Sequence, residues 1–118
     1  MRLLLDECVP ARLRRVLPQH RVSTVVQEGW AGMKNGKLLA LAGSSFDAFI
    51  TVDKNLPYQQ DPSSLPIAVV VLEAASNELQ HLLPLVPKLE SALIDLIPKT
   101  YVLVRADLSP LGLAKGTP

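Results

Sequence analysis

Several residue types are scarce in this chain of 118 residues. Its one cysteine, Cys8, excludes an internal disulfide framework. Aromatic residues make up only 4% of the sequence, so the core has to be built from Leu, Val, Ile and Ala. The formal charge of +1 excludes the global basic field of a nucleic-acid coat protein. No apolar run reaches the roughly 20 residues of a membrane helix, and residues 1–3 lead into a predicted strand rather than a signal peptide. We therefore expect a cytoplasmic protein with a layered α/β core.

Apolar runs recur along the chain, separated by segments in which Leu and Val have helical spacing. The run at residues 3–5 lacks polar alternation, which is the pattern of a strand covered on both faces. The other predicted strands are rich in apolar or β-branched residues and occupy residues 22–26, 46–52, 67–72 and 100–104. We predict helices after Pro10, from Asn35 and from residues 76–77, the last one kinked or split by Pro84 and Pro87. This order predicts a three-layer α/β/α sandwich with a mostly parallel sheet and right-handed crossovers.

The other segments connect these elements or follow them. Residues 1–108 are predicted to form one domain, and residues 109–118 a flexible C-terminal tail. Prolines and polar residues between 57 and 66 indicate an irregular surface loop. Trp30 is expected in the core or at a partner contact, and Leu41 on the buried side of the second helix.

Acidic residues follow three of the predicted strands. Asp6 and Glu7 follow the first strand, Asp53 the third and Glu73 the fourth. Doubly wound sheets bind ligands at the carboxyl ends of their strands, where the strand order reverses, so we expect these carboxylates at one site. Clustered carboxylates repel one another unless a cation joins them. Oxygen ligands select hard ions, and we therefore predict a Mg²⁺ or Mn²⁺ site that activates water for attack on a phosphodiester.

The same acids also have structural interpretations. Asp6 and Glu7 could cap the helix that Pro10 begins. Asp53 could form an Asx turn, and Glu73 could face solvent at the end of its strand.

Two basic residues are candidates for contact with a polyanion. Lys54 either binds a substrate phosphate or pairs with the neighbouring Asp53. Arg12, with Arg14 and Arg15, forms the polar side of the first helix, which either faces solvent or contacts an RNA backbone.

Three motifs resemble those of the small PIN-like domains related to the Mut7-C and VapC-type ribonucleases. They are residues 3–7 (LLLDE), the loop 29–32 (GWAG) before a Leu-rich helix, and residues 50–54 (ITVDK). The resemblance implies a parallel sheet in the order 3-2-1-4-5 and an acidic site that binds Mg²⁺ or Mn²⁺ for RNA hydrolysis. It makes Asp6 the principal metal ligand and Asp53 its partner across the site. Many members of this family are toxins held inactive by a cognate antitoxin protein.

The sequence departs from the family pattern at three places. Residues 35–37 read NGK and carry no carboxylate where the family has an acid on its second helix. Lys37 would repel a metal ion there, or take its place as a salt-bridge partner. Cys8 stands where relatives often have Asn. Glu73 stands where many relatives have a basic residue, so it either restores the missing charge as a metal ligand or faces solvent.

These observations leave functions of different classes open. The first is a metal-dependent endoribonuclease, the toxin of a toxin–antitoxin pair, with catalytic Asp6, Glu7 and Asp53. The second is a PIN-like scaffold that has lost catalysis and acts by binding a protein partner, with Lys37 in the place of the metal ion. For both functions the chain is either a monomer or a homodimer. The third is a phosphate-handling small-molecule enzyme on a similar sheet, since a fold does not determine a function.

Overall fold

The structure, a computed structural model, describes residues 1–56 and 60–106. Its sheet contains five parallel strands: β1 (Arg2–Leu5), β2 (Arg21–Thr24), β3 (Ala48–Thr51), β4 (Ala68–Glu73) and β5 (Tyr101–Arg105). Each predicted strand is present, with bounds that differ by at most two residues at either end. The predicted tail, residues 109–118, and the end of the predicted domain at residue 108 lie outside the described residues.

The strand order is β2-β1-β3-β4-β5, so the expected order 3-2-1-4-5 is wrong. That order would place β3 at an edge of the sheet, but all four residues of β3 are buried. An edge position suits β2, which begins with the exposed Arg21 and is only partly buried. The strand order reverses between β1 and β3, and the crevice at their carboxyl ends is therefore where a ligand of such a sheet binds.

Helices cover both faces of the sheet, which confirms the α/β class. One face carries a 3-10 helix (Ala11–Val16) together with α2 (Leu79–Leu82), a 3-10 turn (Leu83–Leu85) and α3 (Val86–Ile94). The other face carries α1 (Asn35–Gly43) and the segment that leads from β3 to β4.

The core consists of two apolar clusters, one on each face. Leu3 and Leu5 point into the cluster under the 3-10 helix and α3, whereas Leu4 points into the cluster under α1. All three side chains are fully buried. This is why residues 3–5 lack polar alternation, and it makes β1 the central strand on which both layers pack.

The crossovers do not all have the same hand, which corrects the expectation of uniformly right-handed connections. The helices that connect β1 to β2 and β4 to β5 lie on the same face of the sheet, but the two connections lead toward opposite edges of the sheet. The connections from β2 to β3 and from β3 to β4 lie on the other face, and they lead toward the same edge of the sheet as the β4–β5 connection. Since hand depends on both face and direction, the β4–β5 connection is opposite in hand to the other three, an exception to the rule for parallel strands.

Local predictions about the helices hold with three corrections. The last helical segment begins at Leu79 rather than at residues 76–77, and its N-cap is Glu78, without a side-chain cap hydrogen bond. Pro84 and Pro87 divide the last helical segment, as predicted. The segment after Pro10 is a 3-10 helix rather than an amphipathic α-helix, because the short stretch before Pro18 accommodates few α-helical turns. Leu41 is 37% exposed and does not belong to the buried side of α1.

The remaining connections agree with the predictions where the structure describes them. Trp30 packs edge-on against Phe46, with ring centroids 6.3 Å apart, at the margin of the α1-side core. The predicted irregular loop contains a short 3-10 helix (Pro62–Ser64), and its residues 57–59 lie outside the described part. No helix of the described residues is long and apolar enough to cross a bilayer.

Candidate functional site at the ends of the central strands

Asp6 lies at the carboxyl end of β1, beside the point where the strand order reverses. Its Oδ2 accepts a 2.7 Å hydrogen bond from the Oγ1 hydroxyl of Thr51, the last residue of β3. Its Oδ1 accepts a 2.8 Å hydrogen bond from the backbone N–H of Glu7. The half-buried carboxylate is therefore held in one orientation across the β1–β3 junction.

Thr51 links this carboxylate to the segment that carries Asp53. The Thr51 side chain is fully buried, and its hydroxyl also accepts a 3.0 Å hydrogen bond from the backbone N–H of Asp53. One hydroxyl thus orients the Asp6 side chain and the Asp53 main chain. The sequence analysis did not identify Thr51, although a hydroxyl at the end of an otherwise apolar strand, two residues before an acid, is a signal that could have been used.

Cys8 contacts the same pair of residues. Its Sγ lies 3.5 Å from Asp6 Oδ2 and 3.6 Å from Thr51 Oγ1. Burial is the main cause that raises the pKa of the Cys8 thiol above its usual value, and the negative charge of Asp6 adds to the increase. Cys8 is therefore a protonated thiol at neutral pH that donates toward Asp6.

Glu7 points away from Asp6 and binds a loop. Its Oε1 accepts a 2.8 Å hydrogen bond from the backbone N–H of Gly32, in the glycine-bounded loop between β2 and α1. Gly29 and Gly32 have φ values of +78° and +79°, which L residues rarely adopt. Neither Asp6 nor Glu7 caps the 3-10 helix, since that helix has no side-chain cap. Glu7 instead anchors the Trp30 loop beside the site.

Asp53 has the Asx-turn geometry that is the structural interpretation of this residue. Its Oδ1 accepts a 2.9 Å hydrogen bond from the backbone N–H of Asn55. In the described part of the chain, no hydrogen bond or ion pair reaches its Oδ2. Because the turn uses only one of the two oxygens, Asp53 retains an oxygen that can bind a cation.

Glu73 and Lys54 lie farther along the same edge of the sheet. Both residues line a cavity of about 270 Å³ over β4 and β5, and both line a second cavity of about 130 Å³ beside Ser76 and Asn77. Lys54 makes no ion pair with Asp53 among the described residues, whose ion pairs both involve histidine. The Lys54–Asp53 ion pair, which would compete with phosphate binding, is therefore absent among the described residues.

The predicted metal ligands are not assembled into one cluster. The described residues contain no group of three His, Cys, Asp or Glu side chains that could together hold a metal ion. The oxygens of Asp6 and Asp53 nevertheless have the chemistry that Mg²⁺ or Mn²⁺ prefers, and Mg²⁺ is commonly held by one or two carboxylates with several waters. A carboxylate oxygen that accepts one hydrogen bond also keeps a lone pair. The donor set therefore fits an incompletely ligated hard cation.

The other basic candidates lie on the helices that follow β1 and β2. Arg12 is exposed on the 3-10 helix, as are Arg14 and Arg15. Lys37 is exposed in the first turn of α1.

Comparison of the chain with models of known protein families, with curated proteins and with solved structures finds no match in any of the three.

Proposed function

We propose that this protein is a metal-dependent endoribonuclease of the PIN-like kind, acting in the cytoplasm as the toxin of a toxin–antitoxin pair. The observation that supports this most is the shared hydroxyl of Thr51, which orients the Asp6 carboxylate and the main chain of Asp53 at the carboxyl ends of β1 and β3. The partners are RNA and a cognate antitoxin protein.

In this proposal Asp6 and Asp53 hold Mg²⁺ or Mn²⁺ through oxygens that still have free lone pairs. The bound ion supplies charge that polarises a phosphodiester and activates a water molecule. Thr51 keeps Asp6 in position, and Glu7 anchors the Trp30 loop along one side of the site. Lys54 is exposed and makes no ion pair among the described residues, so its ammonium group can contact an RNA phosphate.

Glu73 is the least supported of the proposed metal ligands. It shares cavity walls with Lys54, and its strand position is in register with that of Arg105 on β5. Glu73 remains a proposed metal ligand beside Lys54. Arg12 remains a proposed contact to the RNA backbone.

The experiment compares Mn²⁺ binding and RNA cleavage by the wild-type chain, Asp6→Asn and Asp95→Asn. Asp95, which follows α3, is exposed and supplies the same change of charge away from the strand ends. We expect Asp6→Asn to lose calorimetric Mn²⁺ binding and to cleave RNA at least about 100-fold more slowly, because removing a ligand costs more than removing its outer partners. Asp95→Asn should resemble the wild type.

A second function is supported by a specific observation. A PIN-like scaffold that binds a protein partner without catalysis would explain why no group of three ligating side chains occurs among the described residues. It would also explain why both Asp6 oxygens already accept hydrogen bonds. If the wild-type chain binds no Mn²⁺ at millimolar concentration and cleaves no RNA, this function replaces the first.

A further inference from the structure

Two arginines lie side by side at the amino-terminal ends of β1 and β2. The strand register pairs Arg2 with Arg21. Paired residues of neighbouring parallel strands project from the same face, and the strands are about 4.8 Å apart. Arg2 and Leu4 are two residues apart in β1, so their side chains project from the same face of the sheet, and Leu4 packs in the core under α1. Both arginine side chains therefore leave the sheet on the α1 face, next to each other.

Neither guanidinium group has a partner within residues 1–56 and 60–106. Both ion pairs found there use a histidine, His20 with Glu90 and His81 with Glu78, and no hydrogen bond involves the side chain of either arginine. Asp47 lies at this end of the sheet, but its Oδ2 accepts a 2.7 Å hydrogen bond from the backbone N–H of Arg2. Like charges directly opposite each other on neighbouring strands are destabilising, so this pair opposes folding when nothing is bound.

Open space adjoins the arginine pair on two sides. Arg2 and Arg21 line a cavity of about 460 Å³, whose wall includes Gln19 and Asp47. They also line a cavity of about 360 Å³, whose wall includes Ser45 at the end of α1. A ligand that bridges the two guanidinium groups can therefore extend into either cavity.

We propose that Arg2 and Arg21 form a binding site for a phosphate monoester dianion. A guanidinium group presents a planar fork of N–H donors that matches phosphate oxygens, and two such forks match the charge of a dianion. A bound dianion would also remove the repulsion between the arginines. The site lies at the opposite end of β1 from Asp6, roughly 13 Å along the strand, and it does not depend on the proposed nuclease activity.

The experiment measures thermal unfolding of the full chain in inorganic phosphate and in KCl of the same ionic strength. We expect phosphate to raise the Tm of the wild type above its value in KCl. Arg21→Gln should lose this increment, and its Kd for phosphate by calorimetry should rise roughly tenfold or more, as expected when a charge-assisted hydrogen bond is lost. Without phosphate at low ionic strength, Arg21→Gln should unfold at a higher temperature than the wild type, because the repulsion is gone.

Arg15→Gln is the matched control, since Arg15 is an exposed arginine of the 3-10 helix whose side chain has no partner among residues 1–56 and 60–106. It makes the same change of charge and should keep the phosphate increment. Arg21→Lys keeps the charge but not the planar fork, and it should lose most of the affinity while the repulsion remains. If phosphate stabilises the wild type no more than KCl does, or stabilises Arg21→Gln equally, the arginine pair is not a phosphate site.

The phosphate could belong to a small molecule or to the end of an RNA. Adenosine monophosphate and a short oligoribonucleotide, the latter with and without a 5′-phosphate, serve as probes to separate these sources. Whichever of the two probes binds, its binding should depend on the phosphate group and should weaken in Arg21→Gln. Equal affinity for the phosphorylated and unphosphorylated oligonucleotides, unchanged in Arg21→Gln, would contradict the proposal.

Discussion

Among single residues, Thr51 joins the two predicted acids of the candidate site. Its buried hydroxyl donates to Asp6 and accepts from the backbone of Asp53, and the Cys8 thiol lies beside it. A buried hydroxyl is favourable only when it is hydrogen-bonded, and here it makes two hydrogen bonds that join β1 to the segment after β3. Thr51 is therefore a positioning residue, which acts on the site through the acids it holds.

Thr51→Val should reduce both stability and metal affinity. Valine has nearly the same shape, but it leaves the Asp53 N–H and one Asp6 oxygen without their partner, and we expect a loss of about 1–3 kcal/mol in the free energy of unfolding. Mn²⁺ affinity should fall roughly 10- to 100-fold, as for the loss of other groups that orient a metal ligand. Denaturant unfolding and calorimetry measure the two effects.

Thr51→Ser is the matched variant, because it keeps the hydroxyl and removes only a methyl group. It should restore Mn²⁺ affinity close to that of the wild type, at a cost in stability of about 1 kcal/mol for the lost methyl. If Thr51→Ser and Thr51→Val bind Mn²⁺ equally well, the hydroxyl does not position Asp6 for a metal.

Among the elements, α1 ends at a close backbone contact. A Cβ atom built on Gly43, the last residue of α1, would lie 2.5 Å from the carbonyl oxygen of Pro66. The main chain just before β4 therefore passes directly against the end of this helix. A glycine is required at position 43 for this steric reason, since its φ is not in the left-handed region.

Gly43→Ala should destabilise the protein, whereas Gly36→Ala should not. The first substitution forces the backbone of α1 away from Pro66, and overpacking of this kind costs about 1–3 kcal/mol. At Gly36, in the first turn of α1, the nearest atom to an added Cβ is Gln60 Oε1 at 3.7 Å, an ordinary contact. Alanine there should add about 0.5–1 kcal/mol of stability. Denaturant unfolding of the two variants measures both values, and equal effects would show that the Pro66 contact does not restrain α1.

The position of β3 in the sheet follows from its burial. Its complete burial requires a partner on each side, and the sheet provides β1 and β4. This pairing brings Thr51 next to Asp6, as the backbone hydrogen bond of 2.9 Å from Asp6 N to Ile50 O shows. In the order 3-2-1-4-5, β3 would not be a neighbour of β1, and the Asp6–Thr51 contact would not form.

For the whole molecule, two apolar clusters packed on opposite faces of one sheet account for folding. Fully buried Leu, Ile, Val and Phe side chains occupy both clusters, and β1 contributes to each of them. Apolar burial of this extent is the main favourable contribution to folding. Neither cluster requires a bound ion.

Removal of divalent metal should therefore leave the fold intact. With excess EDTA we expect an unchanged far-UV circular dichroism spectrum and one cooperative thermal transition. Added Mn²⁺ should raise the Tm only through mass action on the folded state. Loss of the cooperative transition in EDTA would mean that a metal supports the fold, which the two clusters do not predict.

The sequence by itself determined the elements and their class. Short segments rich in apolar and β-branched residues place all five strands within about two residues of their observed bounds, and the prolines divide the last helix as predicted. It also placed Asp6 and Asp53 just beyond strand ends. These properties are local, because burial on both faces, helical periodicity and the restricted backbone of proline all act within a few residues.

Only the tertiary structure decided which strands are neighbours and which acids have which partners. Strand order depends on which strand can be left at an edge, and the exposed Arg21 of β2 and the buried β3 decide this together. The same pairing brings Thr51 to Asp6, directs Glu7 to Gly32 and sets Arg2 beside Arg21. These contacts join residues far apart in the chain, and side-chain patterns within a single segment contain no information about a partner on another strand.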